Sequence, residues 1–359
     1  MLRALGCVLI AAIGLAAGEF RLGRASVAVG PGAWVKVLVF DAGGSRAALV
    51  VVDGGDHDAA SVAAARAAVE AAAGVPASHV MLCSTRSSGS RTPSAKIAEA
   101  GRAASASIAP VRIFTGSGRE ESAAFYSRFL MKDGGVRTNP RQGDPEIVQP
   151  MGEIDEEVRA LRFDGADGAT LATLLNFALC GTHGAAWSRT LGKIQGPGSV
   201  VVITAGACGN AVSADARGKS SPRPEETGEV LAGESIKVLA RAKPAAAERL
   251  KAMRETVRAG PNLDAEVQVI ALGPGIALVG LPGEPFAELG AAIKRASPFP
   301  VTVVAGLANG NIGIVPTRKA FEQGGDDVRK ARIEPGAGER IAETALRLLP
   351  AARREVSGR

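Results

Sequence analysis

Hydrophobic and polar positions along the chain switch between a period of two and a period near 3.6, and the switches outline the elements. Residues 34–40 and 46–53 are β-branched and apolar runs around Asp41-Ala42-Gly43-Gly44, predicting two strands joined by a hairpin-like turn. The alanine-rich stretch 58–73 stops at Gly74, which predicts a helix with a glycine end, and residues 79–84 predict a further strand. Residues 46–84 therefore make a βαβ unit, whose crossover implies a parallel pair. Residues 93–108 predict a helix and 111–115 a strand. Residues 116–156 are polar and rich in Gly, Pro and Arg, and predict a long loop. A hairpin is expected from 158–163 and 170–179, a buried strand from 199–204, and a long amphipathic helix from 222–256, broken near Pro244. Residues 265–272 and 276–281 predict another hairpin, turning at Gly273-Pro274-Gly275. A last strand at 300–306 and a closing helix at 337–349 complete the pattern. The reading is α/β: a single domain with a mixed central sheet and flanking helices, in which no internal repeat is visible.

One stretch organises the rest. The apolar run 276–281 leads into Pro282-Gly283-Glu284-Pro285-Phe286, and a helix is predicted over 285–296. Glu284 thus falls at the carboxyl end of a buried strand, where open α/β sheets place ligand chemistry. Residues 307–317, Leu-Ala-Asn-Gly-Asn-Ile-Gly-Ile-Val-Pro-Thr, are too rich in Gly and Asn for a plain strand and predict a shaped loop beside the first.

Composition narrows the classes. A chain of 359 residues with 46% hydrophobic and 22% charged residues can bury a sizeable core. The net charge is +6, but aromatics are only 4% and no basic run interleaves with them, which argues against nucleic acid as a partner. Attraction to an anionic membrane surface is retained. Residues 1–18 carry one Arg, a short apolar run and small residues before Glu19, the pattern of a secretory signal peptide, with an uncleaved anchor as the alternative. Export to the periplasm or medium is expected, with 19–359 as the folded domain. Cleavage would remove Cys7 and leave Cys83, Cys180 and Cys208, so an oxidising compartment implies a free thiol or an intermolecular bond.

The stretches GLPGEPFAELGAAIKRASPF, LANGNIGIVPTRKAFEQGG and FLMKDGGVRTNPRQGDPEIVQPMGEIDEEVRALRFDGADG, with the helix beginning at Ala337, resemble the neutral/alkaline, non-lysosomal ceramidase family. The resemblance covers most of residues 45–350. It implies the N-terminal α/β domain of secreted zinc amidases that cleave the amide of ceramide. It also implies four metal-ligand positions, and this chain departs from most of them. In LCSTRSSGS, residues 82–90, Arg86 stands where the resemblance places a ligand histidine, and Ser87 or Ser88 replaces a second one. Arginine keeps its proton in proteins and cannot ligate zinc. Cys180 stands at the next ligand position, with His183 three residues on. Glu284 is the retained carboxylate. Ile314 occupies the position of a tyrosine and has no donor atom. In the segment after the central strand, Asn210 replaces an Asp, and Val212 falls at the position of a Ser or Asn, which Ser213 fills only if the loop shifts.

Two readings follow. In the first, the chain keeps a pocket lined by Arg86, Ser87, Ser88, Glu284, Asn309, Asn311 and Thr317 but no zinc site and no cofactor. Arg86 would pair with Glu284, because a buried lone carboxylate is costly. The protein would bind a lipid-like or amide small molecule, or a partner protein. In the alternative, an amide hydrolase acting on an N-acyl substrate is rebuilt with Cys180, His183 and Glu284 around zinc, or with a metal-free Cys180–His183 pair, and Ser213 is a further catalytic candidate. His57 and His79 read as surface or loop residues, and Cys83 and Cys208 as small core residues.

Overall fold

The computed structural model describes residues 19–55, 57–86, 92–218 and 221–358. The predicted leader, residues 1–18, and the pocket candidates Ser87 and Ser88 lie outside the described residues. The first sheet contains β1 (Arg21–Gly30), β2 (Ala33–Ala42), β3 (Ser45–Val52), β4 (Val80–Ser84) and the short β5 (Ala109–Pro110), in the order β4-β3-β2-β1-β5. Helices α1 (Ala59–Ala73) and α2 (Ser94–Ala106) cover its outer face. Asp58 Oδ1 caps α1 by accepting from the Ser61 N–H at 2.8 Å, and Gly74, at φ +64°, ends it in the left-handed conformation that glycine adopts without steric cost.

The second sheet begins with β6 (Arg112–Arg119). Residues 125–150 then hold four short strands, β7 (Phe125–Tyr126), β8 (Arg128–Met131), β9 (Val136–Thr138) and β10 (Ile147–Pro150), where a structureless loop was expected. Glycine, proline and arginine here mark tight turns between very short strands. Arg128 pins the insertion: it is fully buried, ion-paired to Asp327, and bonded to the Gly324 carbonyl at 2.9 Å. The sheet continues with β11 (Glu157–Asp164), β12 (Thr170–Phe177), helix α3 (His183–Gln195), β13 (Val200–Ala205), β14 (Ala211–Val212), which pairs with β7, helix α4 (Pro224–Ala240) and β15 (Lys243–Ala245). Its order is β13-β12-β11-β6-β15. The long helix expected over 222–256 stops at Ala240, and its second half is β16 (Leu250–Gly260). Pro244 sits in the short strand between them, where a helix cannot be propagated.

The third sheet, β16, β17 (Leu263–Leu272), β18 (Ile276–Gly280) and β20 (Val301–Ala305), is ordered β16-β17-β18-β20. Before β20 lie β19 (Glu284–Pro285) and α5 (Ala287–Ala296). After it come β21 (Ile314–Val315), α6 (Arg318–Gln323), α7 (Asp326–Lys330) and α8 (Ala337–Ser357). The α/β class and the mixed, helix-flanked sheet arrangement expected from the sequence are present, with most strands in three main sheets and the short ones in three small sheets, β10-β8-β9, β14-β7 and β19-β21.

The three main sheets share one topology that the sequence does not reveal as a repeat. In each, a strand pairs antiparallel with the first arm of a hairpin, and a crossover carrying a helix leads from the second arm to a parallel strand: β1-β2-β3-α1-β4, β6-β11-β12-α3-β13 and β16-β17-β18-α5-β20. Strand alternation then assigns the faces. Val35, Val37 and Val39 point to α1 and α2, while Leu38 and Phe40 point into an interior shared with Phe163, Leu174 and Val202 of the second sheet and Ile270, Leu278 and Val303 of the third. Burying each such side chain contributes roughly 2 kcal/mol. The carboxyl ends of all three parallel pairs meet on one side of this core.

Candidate functional site

Five loops converge there. One follows β4 and includes Arg86; others follow β12, β13, β18 and β20. Backbone bonds lock them together. Ser84 N–H donates to Leu307 O at 3.1 Å, Gly306 N–H to Ala205 O at 2.9 Å, Leu307 N–H to Gly283 O at 2.7 Å and Gly181 N–H to Thr85 O at 3.1 Å. Three of the four non-glycine residues with positive φ among those described, Arg86, Leu307 and Asn309, lie in these loops. Such conformations cost about 1–3 kcal/mol each and persist only where the surroundings impose them.

Glu284 is placed by β19, which runs parallel to β21 with Glu284 opposite Ile314 in register. The Glu284 N–H donates to Gly313 O at 2.9 Å. Gly283, at φ +64°, makes the turn before it. Gly209 lets the neighbouring loop close on Glu284: a Cβ there would stand 2.1 Å from the Glu284 carbonyl oxygen. The Glu284 carboxylate is mostly buried, at 16% side-chain exposure, and is ion-paired to the Arg86 guanidinium, which is 42% exposed. The pairing expected from the sequence is therefore present.

Cys180 lies on the other side of the carboxylate, its Sγ 3.9 Å from Glu284 Oε2. Its sulfur is bonded to Cys208, 28 residues on, and Cys83 is a free, fully buried cysteine whose thiol pKa burial pushes up to about 12. Two expectations change here. A sulfur in a disulfide has no thiolate, so Cys180 cannot serve as nucleophile or zinc ligand in this form. Cys208 is half of a cross-link as well as a buried residue. The pairing was hidden because the two cysteines meet only when the ends of β12 and β13, neighbours in the second sheet, come side by side.

The remaining candidates divide. His183 is buried at the first position of α3, not in the loop that the flanking glycines suggested, and desolvation lowers its pKa to about 4. No hydrogen bond joins it to Cys180 or Glu284 among the described residues. Asn309 is a buried cross-link: its Oδ1 accepts from Leu82 N at 3.0 Å and its Nδ2 donates to Gln268 Oε1 at 2.7 Å. Asn311 closes its own turn by accepting from Gly313 N at 2.7 Å, and Thr317 caps α6 by accepting from Ala320 N at 3.1 Å. Asn311 and Thr317 thus bond the backbone around them, and Asn309 ties the loop to β4 and β17. Ser213 is half-buried just past β14. His79 bonds the Arg46 carbonyl through Nδ1 at 2.8 Å, at a distance from the site in the βαβ unit. His57 lies between β3 and α1, in the strand-to-helix loop expected for it, and is buried at 5% exposure.

Two side-chain clusters behind the loops had no sequence signal. Asp53, at the end of β3, is buried beside Lys36, and its carboxyl pKa is raised by burial and partly restored by Lys36 and by a bond from Thr85 Oγ1 at 3.2 Å. Lys36 is lowered by burial, partly offset by Asp53, and donates to Ser188 Oγ at 2.8 Å. Tyr126, remote in sequence, donates to Glu288 Oε1 at 2.7 Å, while Asn210 donates to Glu288 Oε2 at 2.7 Å and accepts from Ala287 N at 2.8 Å. Both clusters are visible only once separate sheets are docked.

A zinc site needs deprotonated nitrogen, sulfur or oxygen ligands around one point. At the described positions singled out by the resemblance, the chain offers a guanidinium, a disulfide sulfur, one carboxylate held by that guanidinium, and an isoleucine beside it. That donor set does not fit zinc. Among the described residues, no three His, Cys, Asp or Glu side chains are grouped to hold a metal ion.

No protein-family model matches the sequence, and no curated protein matches it. Solved structures do. The neutral ceramidase from Pseudomonas aeruginosa superposes with a TM-score of 0.75 at 15% identity, over 95% of this chain and 76% of that one. A ceramidase solved in complex with C2 superposes with a TM-score of 0.76 at 15% identity, over the same shares of each chain. The chain therefore has a neutral ceramidase-like fold.

Proposed function

We propose that this protein is an exported, ceramidase-fold binding protein in which the zinc amidase site has been replaced by an ion pair and a disulfide. The observation that carries this reading is the Arg86–Glu284 pair. In a zinc amidase of this fold, the metal would hold the loops together and compensate the carboxylate. Here Arg86 supplies the positive charge and the Cys180–Cys208 bond ties two of the loops covalently. The ion pair joins the loops after β4 and β18 and the disulfide those after β12 and β13, so the fold can be kept without the metal's chemistry. A half-exposed guanidinium beside a mostly buried carboxylate suits a small polar ligand of the amide or lipid-headgroup kind. The disulfide and the apolar leader both favour an oxidising compartment.

The test is the zinc content of the purified protein and of Glu284→Ala, with an N-acyl amide hydrolysis assay on both. We expect no tightly held zinc and no amide cleavage by either. About one zinc per chain, lost in the variant together with amide cleavage, would overturn the reading.

A further inference from the structure

At the other end of β12 and β13 from the disulfide, a groove of about 550 Å³ opens between the starts of these strands and the ends of α3 and α4. Its walls are Leu171, Leu191, Ile194, Ile236 and Leu239. Ile194 is 59% exposed and Ile236 40%, so two aliphatic side chains stand open to solvent at its rim. None of its lining residues is acidic, and two are arginines.

The two arginines are not equivalent. Arg162 is spoken for: its Nε donates to both Asp164 carboxylate oxygens at 3.0 Å, its Nη1 to Leu239 O at 2.9 Å, and its guanidinium stacks on Phe114 at 4.6 Å. Arg24 has none of this. In β1 it stands opposite Leu38 and two residues from Leu22, both fully buried, so its side chain leaves the strand on the core-facing side. Among the described residues, no carboxylate and no hydrogen-bond acceptor meets its guanidinium, and its Nε is buried without a partner. Lys36, the next cation along that face, has Asp53 and Ser188. A cation on the core face of a sheet is costly unless an anion or water compensates it.

We infer that this groove is a binding site for a single-chain amphiphilic anion, whose carboxylate, sulfate or phosphate head pairs with Arg24 and whose alkyl chain lies against Ile194 and Ile236. The volume is in the range of small-molecule pockets, and the combination of apolar walls with one fixed polar anchor is what such pockets use for orientation. A charge-assisted bond to a partly desolvated guanidinium gives the head its selectivity. The site is separate from the Glu284 loops and does not rest on the reading given for them.

The experiment is titration calorimetry of the full chain with decanoate below its micelle concentration. Decanol is the uncharged control, and vesicles containing an anionic phospholipid form a separate arm. We expect saturable decanoate binding, weakened at least about tenfold in Arg24→Gln and for decanol. Ile194→Glu, at an exposed position where folding is not at stake, should abolish it, and Glu284→Ala should leave it unchanged. The inference is overturned by absence of saturable decanoate binding, by equal binding of decanol, by binding that survives both groove variants, or by capture of vesicles without decanoate binding. Binding lost in Glu284→Ala would place the ligand in the other site and overturn it equally.

Discussion

Arg86 and Glu284 are 198 residues apart in sequence and form one ion pair across the loops that follow β4 and β18. The carboxylate is the more buried partner, and Arg86 adopts a left-handed backbone, at φ +54°, in the loop that presents the guanidinium. The pair is neither a free surface bridge nor a sealed one. Its strength therefore lies between the 0–1 kcal/mol typical of surface pairs and the larger penalty for stranding a buried charge.

This gives an asymmetric double-mutant cycle. Arg86→Gln, which removes a guanidinium from the more buried Glu284, should destabilise the protein by about 1–2 kcal/mol, whereas Glu284→Gln, which removes the charge facing a half-exposed guanidinium, should cost less. The double variant should cost less than the sum. Urea denaturation of the four proteins measures it, and strict additivity would mean that the two groups do not depend on each other.

The second link across the site is covalent. Closing a loop of 28 residues should stabilise the fold by about 3–4 kcal/mol in the chain-entropy account. Cys180→Ala/Cys208→Ala should unfold at correspondingly lower urea concentration. Non-reducing peptide mapping of the unmodified protein should recover the peptides of Cys180 and Cys208 joined, with Cys83 alkylated only after denaturation, because it is fully buried.

Arg128 offers the sharpest stability test. Its side chain is 0% exposed, that of Asp327 is 3%, and the guanidinium also lies over the Phe286 ring at 5.6 Å. Asp327→Ala removes the charge that compensates a buried cation and should cost about 3–5 kcal/mol. The β7–β10 insertion should lose hydrogen-exchange protection before the three main sheets do. Uniform loss across the chain would show that Arg128 supports the whole fold and not this segment.

What the sequence made legible was local. The hairpins at β2–β3, β11–β12 and β17–β18, the crossover α1 and the position of Glu284 each rest on contiguous patterns of apolar runs, glycines and turn residues. The Arg86–Glu284 pairing was also legible, because a buried carboxylate demands a compensating charge and Arg86 falls at the end of a neighbouring strand. The rest depends on docking. Cys180 and Cys208 share no motif, and they meet because two parallel strands end together. Lys36 and Asp53 belong to different strands and read as ordinary polar residues until the sheets close over them. Strand β16 reads as helical because its apolar positions continue those of an amphipathic helix across the short β15, and helix α3 is hidden by Gly181 and Gly184 at its start. The threefold topology leaves no visible repeat in the sequence, because each sheet needs only the same order of elements and not the same residues.

His183 gives the protein a predictable response to acid. It is buried, and desolvation holds its folded-state pKa near 4, against about 6.5 in the unfolded chain. Between these values the unfolded chain binds a proton that the folded chain does not, so the unfolded state is favoured as pH falls. The contribution is absent above about pH 6.5, grows as pH drops through the interval, and levels off below pH 4. Its full size is about 3.5 kcal/mol, from a pKa near 4 in the folded chain against 6.5 in the unfolded one at about 1.4 kcal/mol per pH unit. Urea denaturation at pH 7.5, 5.5 and 4.5 should show a falling stability whose slope is reduced by about one proton in His183→Gln. The same slope in both proteins would mean that His183 is protonated in the folded state, which requires a counter-charge or water inside the first turn of α3.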